Sequence, residues 1–139
     1  MSKQFLDTNI LLYAHDPRDA RKRRCATERV ARAIDEGTGV LSTQVLQEYA
    51  VNALAKFHLA SPVVLRQLAI LECLEIVTID APLIRRAVEL SALYATPYWD
   101  ASIIAAAEVA RCATIVSEDF NSGQYYAGIR IEDPFAARP

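Results

Sequence analysis

Four acidic residues, Asp7, Glu48, Asp100 and Asp119, occupy positions from which carboxylates can act together. Asp7 directly follows a short apolar run in FLDTNI, and Asp119 stands just past another in TIVSEDF, so both fall beyond strand ends. In open α/β sheets that is where ligands bind, in the crevice outside the carboxyl ends of the strands. Each has an ordinary structural reading as well, since Thr8 and Asn9 suit a turn and Asp often caps a helix. Two aligned carboxylates repel, however, and need a cation or a shared proton to be tolerable. Asp100 heads the stripe Ile103, Ile104 and Ala107 of an apolar helix. A first-turn Asp complements the helix dipole, but an inward-facing one must be paired or bind metal. Glu48 borders a stripe of Val45, Leu46, Tyr49 and Ala53 and taken alone is only a good helix former.

Taken jointly, the four specify two acids at neighbouring strand ends and two on helices packed over that end. An all-oxygen ligand set suits a hard divalent ion, Mg²⁺ or Mn²⁺, which keeps several waters and binds phosphate. Such an ion serves in-line attack on a phosphodiester by lowering the pKa of the attacking water. A phosphatase with Asp7 as nucleophile is a rival chemistry, although its usual second acid two residues on is here Asn9. A binding module for protein or RNA, with the acids merely structural, is the non-enzymatic rival.

The elements that must position these residues alternate between short apolar runs and helical periodicities, the pattern of an α/β domain with a mainly parallel sheet. Strands are expected at Lys3–Leu6, Gly39–Leu41, Glu75–Ile79, Ala113–Val116 and Gly128–Ile131, the last at a sheet edge. A helical turn over Ile10–Ala14 comes first. Asp16-Pro17 then reads as N-cap and first residue of a helix that stops at Gly37. Ser42 or Thr43 caps a helix to about His58, and Ser61-Pro62 one to about Cys73. Asp80–Ala95 is helical, and Thr96-Pro97 opens a helix to Arg111. A chain of 139 residues, 53 % hydrophobic and 23 % charged, with four Gly and six Pro, reads as one compact domain over residues 1–139.

Net charge is −2, but seven of the 15 Lys and Arg lie between Arg18 and Arg32. At 100° per residue Arg18, Arg21, Lys22, Arg29 and Arg32 share one side of a helix, opposite Ala26, Val30, Ala33 and Ile34. Such a stripe can follow a phosphate backbone or simply face water. Cys25, Cys73 and Cys112 never pair as CxxC, and only His15 and His58 accompany them, so buried free thiols are expected rather than zinc or disulfides. Asp7, Thr8 and Asn9 interrupt the N-terminal apolar run, which argues against a secretory signal, and no segment approaches a membrane span. A cytoplasmic location is the expectation.

At these residues the chain resembles the PIN-domain family, specifically its VapC-type toxin branch. The likeness is carried by FLDTNILLYA, STQVLQEYAVN, YWDASIIAAA and IVSEDFNSGQYYAGIRIEDPF, in that order. Only roughly Ala55 to Tyr94 lies outside it. The resemblance implies a three-layer α/β/α sandwich around a parallel sheet of about five strands. It also implies Mg²⁺ or Mn²⁺ at the acidic cluster, hydrolysis of RNA at single phosphodiester bonds, a homodimer, and a cognate antitoxin covering the active site. Asp7, Glu48, Asp100 and Asp119 match the family's acids, with Thr8 and Asn9 in support. Ser117 stands where many relatives carry Thr and keeps the hydroxyl.

Overall fold

The computed structural model describes residues 1–136. Six strands form one sheet: β1 (Gln4–Leu6), β2 (Gly39–Ser42), β3 (Glu75–Val77), β4 (Thr114–Val116), β5 (Tyr125–Tyr126) and β6 (Ile129–Glu132). Six helices accompany them: α1 (Thr8–Tyr13), α2 (Ala20–Glu36), α3 (Thr43–Ala55), α4 (Ser61–Leu71), α5 (Ala81–Tyr94) and α6 (Tyr98–Val109). The strand order is β3-β2-β1-β4-β6-β5, parallel throughout except where β5 runs antiparallel to β6. Helix α1 packs against both α2 and α3, and α3 against α4, whereas α5 lies along α6. The result is an α/β sandwich about a mainly parallel sheet.

Burial explains why such short runs form strands. β1, β2 and the inner residues of β4 are inaccessible to solvent, so Phe5, Leu6, Val40, Leu41, Ile115 and Val116 form a continuous apolar core layer. Strands covered on both faces lose the polar–apolar alternation of half-exposed ones. Helix α6 is buried through seven consecutive residues, Ala101–Ala107, and acts as a core element. Its small alanines let it approach the sheet closely. At the start of β2 a Cβ on Gly39 would lie 2.8 Å from the Leu74 side chain and 3.0 Å from Ala33, so the glycine leaves room that any other residue would take from them.

Order reverses between β1 and β4: the chain leaves β1 toward β2 and β3 on one side and returns to β4 on the other. Leu6 is level with Val116, and the Asp7 amide donates to the Val116 carbonyl at 3.0 Å. Asp7 and Ser117 therefore leave adjacent strands at the same level, at the topological switch point.

Several local expectations are corrected. The basic helix starts at Ala20, not Pro17, because Asp19 supplies the cap by accepting from the Lys22 amide at 3.0 Å. The Asp16 carboxylate is already taken by the Arg18 guanidinium and backbone amide. Helix α1 begins two residues earlier than expected, at Thr8, since Asp7 caps it. β6 is not the sheet edge. Ala127 (φ 51°) and Gly128 (φ 78°) form a tight turn that returns the two-residue β5 against it. Of the cysteines, all free, only Cys112 is buried; Cys25 is half-buried and Cys73 exposed. Among the described residues no helix is long and apolar enough to cross a membrane.

Candidate functional site

At the β1/β4 switch point a small hydrogen-bond network gathers the expected residues. Asp7 is buried, and its Oδ1 accepts from the Thr8 amide at 2.8 Å, so the capping role foreseen for it is real. That role uses one oxygen. The other, Oδ2, accepts the Ser117 hydroxyl at 2.7 Å. Asn9 directs its amide nitrogen to Asp119 Oδ2 at 2.9 Å, with Asp7 Oδ2 at 3.5 Å and Ser117 Oγ at 3.4 Å. Ser117 Oγ also accepts from the Asp119 amide at 3.0 Å. One hydroxyl thus holds both strand-end acids.

The helices bring the other two acids to the same edge. Glu48, on α3, accepts from the Thr8 hydroxyl at 2.8 Å and from the Gln44 amide at 2.8 Å. Asp100, half-buried in the first turn of α6, has no hydrogen-bond donor among the described residues. Its proximity to the others is electrostatic: after burial, the charges of Asp119 and Glu48 hold its carboxyl above its ordinary value. Asp7 is pushed up to about 6, chiefly by burial. The Ser117 and Thr8 hydrogen bonds oppose that rise, and the charges of Asp119 and Glu48 add to it. A buried acid crowded by two others holds its proton nearer neutrality.

None of these acids has a Lys or Arg partner among the described residues; every ion pair lies elsewhere. Nor do three acidic, histidine or cysteine side chains converge there closely enough to chelate one ion directly. Glu48 is drawn aside by Thr8 and Gln44, and Asp119 is exposed. The four thus do not form one closed chelate as they stand. The donor chemistry fits an ion that keeps much of its water shell, as Mg²⁺ does when held by one or two carboxylates.

The five basic residues do not form one free stripe. Lys22 pairs with Glu118 and Arg29 with Glu132, Arg29 also donating to the Gln4 side chain at 2.8 Å. Arg21 donates to the Phe135 carbonyl at 3.0 Å. That side of α2 therefore packs toward β6 and the chain's end. Arg32 is exposed, and Arg18, outside the helix, reaches a different place. It lines a cleft of about 150 Å³ together with Asn9, Asp119, Phe57 and Lys56. Sequence reasoning missed Lys56, an exposed cation with no ion-pair partner among the described residues, because it stands alone just past the end of α3. It also missed Gln44, whose link to Glu48 is the i, i+4 spacing of one helix face.

The PIN-domain profile matches residues 5–126, so this chain belongs to the PIN-domain family. Among solved structures it is similar to a toxin–antitoxin complex from Klebsiella pneumoniae, with a TM-score of 0.69 and 24 % identity over 97 % of this chain and 100 % of the other. It is also similar to Mycobacterium tuberculosis VapC20, a sarcin–ricin-loop-cleaving toxin, with a TM-score of 0.66 and 18 % identity over 92 % and 99 %. DNA-bound VapBC from Salmonella typhimurium aligns with a TM-score of 0.62 and 24 % identity over 96 % and 99 %. No curated protein sequence matches significantly.

Proposed function

We propose that this PIN-domain protein is a metal-dependent endoribonuclease, the toxin of a toxin–antitoxin pair, acting in the cytoplasm on single RNA phosphodiester bonds. The observation that carries this reading is the cluster itself: four carboxylates at the switch point, three of them joined through Thr8, Asn9 and Ser117 and Asp100 near enough to feel the charges of Asp119 and Glu48, all without a cationic partner among the described residues. Asp7, Glu48, Asp100 and Asp119 would hold Mg²⁺ or Mn²⁺ between them, directly or through its waters. When bound, such an ion offsets the negative charge of the phosphate and lowers the pKa of an attacking water.

The chain's own residues do the rest. Ser117 and Asn9 hold Asp7 and Asp119 in place, and Thr8 orients Glu48. Asp7, whose carboxyl pKa is raised by burial in the metal-free protein, would give up its proton when the ion binds. Lys56, in the cleft beside Asn9 and Asp119 and unpaired among the described residues, supplies attraction for phosphates that an acidic site by itself lacks, while Arg18 in the same cleft is paired with Asp16. The antitoxin partner is supported by similarity to the Klebsiella and Salmonella complexes, and a homodimer belongs to the same reading.

Incubation of the purified chain with single-stranded and structured RNA tests the proposal. Cleavage is expected with Mg²⁺ or Mn²⁺, none in EDTA, and none with Asp7→Asn or Asp100→Asn. Undiminished cleavage in chelator, or by the folded variants, would refute it.

A further inference from the structure

Beside the acidic cluster lies a second cleft, which shares no residue with the one that holds Arg18 and Lys56 and meets the cluster only at Glu48. It encloses about 290 Å³ and is lined by Gln44, Gln47, Glu48 and Trp99. Trp99 is the chain's only tryptophan, and it is 66 % exposed although it directly precedes Asp100. Its ring is braced on one side by Tyr98, in an edge-to-face contact with centroids 5.0 Å apart. The indole therefore leaves a flat aromatic face open beside the carboxylates.

The polar lining is equally incomplete. Gln44 is nine-tenths buried, and its amide nitrogen donates to Glu48 Oε1 at 2.8 Å and to the Trp99 carbonyl at 3.2 Å. Those two acceptors set the orientation of the amide and leave Oε1 as the single buried side-chain oxygen or nitrogen without a partner among the described residues. Buried acceptors are nearly always satisfied, so this one needs a donor. Gln47, one position before Glu48, is exposed and makes no side-chain hydrogen bond among the described residues. The cleft thus joins an open aromatic face to unused amide groups, and its size is at the small end for a bound organic group.

We infer that this cleft is a nucleobase subsite: Trp99 stacks one base of a single-stranded RNA, and the Gln44 and Gln47 amides hydrogen-bond its edge. A base offers the required pair of surfaces, a flat π-face for the indole and N–H donors for an unpaired carbonyl oxygen. The Gln44 amide is bonded both to the Trp99 backbone and to Glu48, so the stacked base is held at a set distance from the carboxylates. Trp99 and Asp100 are consecutive on α6, which places the phosphate next to that base at the acidic cluster. The inference rests on the nuclease reading and adds to it the part of the substrate that is read.

Because Trp99 is the sole tryptophan, its own fluorescence reports the contact. Oligoribonucleotides of about ten residues, each of one base type and shortened enough to lack structure, are titrated with Mg²⁺ present. An abasic strand of equal length is the control. Base-bearing strands should quench Trp99 and the abasic strand should not. Trp99→Ala should weaken binding of base-bearing strands on the order of tenfold, Trp99→Phe should recover most of it, and Gln47→Ala should reduce the difference between base types. Trp99 and Gln47 are both exposed, so these variants are expected to fold. If the wild type binds and cleaves RNA while Trp99→Ala does so equally well, the subsite is wrong and the nuclease reading stands. A Trp99→Ala protein with normal RNA affinity but an altered oligomeric state would assign the indole to a protein interface instead. If the wild type neither binds nor cleaves any of these strands or a folded RNA, both readings fall.

Discussion

The Ser117 hydroxyl donates to Asp7 Oδ2 at 2.7 Å across the seam between β1 and β4, and the same oxygen accepts the Asp119 amide at 3.0 Å. Both Ser117 and Asp7 are buried, so the bond is shielded from competing water. It is one of the two hydrogen bonds that hold the Asp7 carboxyl down against burial.

Ser117→Ala should therefore raise the Asp7 pKa beyond about 6 and destabilise the fold. Leaving the buried Asp7 acceptor short of a partner costs about 1–3 kcal/mol. Carboxyl-carbon NMR titration reads the first effect and urea melts the second. Ser117→Thr, which keeps the hydroxyl, should reproduce the wild type in both.

Asp7 also imposes a pH dependence on the metal-free protein. Its folded value, about 6, lies above its ordinary 3.8, so the native state carries the extra proton between those values. Stability should fall as pH rises through that window and stay reduced above it. Asp7→Asn removes the penalty, and the variant should be the more stable of the two at pH 7 by on the order of 1–3 kcal/mol, the scale of a shift of about two units. Melts of both proteins in EDTA at pH 4 and pH 7 decide it, since the gap should appear only at the higher pH.

Divalent ions should reverse that order. A ligand that binds the native state alone raises the melting temperature with concentration. Millimolar Mg²⁺ or Mn²⁺ should stabilise the wild type, EDTA should undo the gain, and Asp7→Asn combined with Asp119→Asn should show little response. An equal rise in the double variant would place the ions elsewhere.

The basic residues should separate into two groups. Lys56→Ala removes a cation beside Asn9 and Asp119 that is unpaired among the described residues, and RNA binding should weaken with a salt slope flatter by about 0.7. Arg29→Ala should act on the fold instead. Arg29 is 14 % exposed and satisfies both Glu132 and Gln4, and its pairing is what chiefly holds the Glu132 carboxyl below its ordinary value. Loss of about 1–3 kcal/mol in a chemical melt is expected from the unpaired groups. Salt-dependent binding and stability measured on both variants show whether the two groups are distinct.

Much of this protein is legible in its sequence because the information is local. Short apolar runs mark β1, β2 and β4, the 3.6-residue period marks α3 and α5, and a nearly continuous apolar run marks α6. Asp7 and Asp119 stand at strand ends by position along the chain, and Asp100 is in the first turn of its helix by counting from Pro97. What escaped was shorter than any period or made by distant parts of the chain. β5 has two residues, too few for alternation to register, and its turn uses Ala127-Gly128 where Asn-Gly would have announced it. From Arg21 onward the basic stripe follows the helix, but Arg18 falls outside it and the pattern is silent about what α2 packs against. Lys22 meets Glu118 from 96 residues away and Arg29 meets Glu132 from 103. No periodicity encodes those partners, because they follow from the placement of β4 between β1 and β6. The same placement puts the Ser117 hydroxyl on Asp7, and the approach of Trp99 on α6 to Gln44 on α3 leaves the Gln44 side-chain oxygen without a donor. Residue types and spacings determined which side chains stand at the ends of elements, whereas strand order and helix packing alone decided which of them meet.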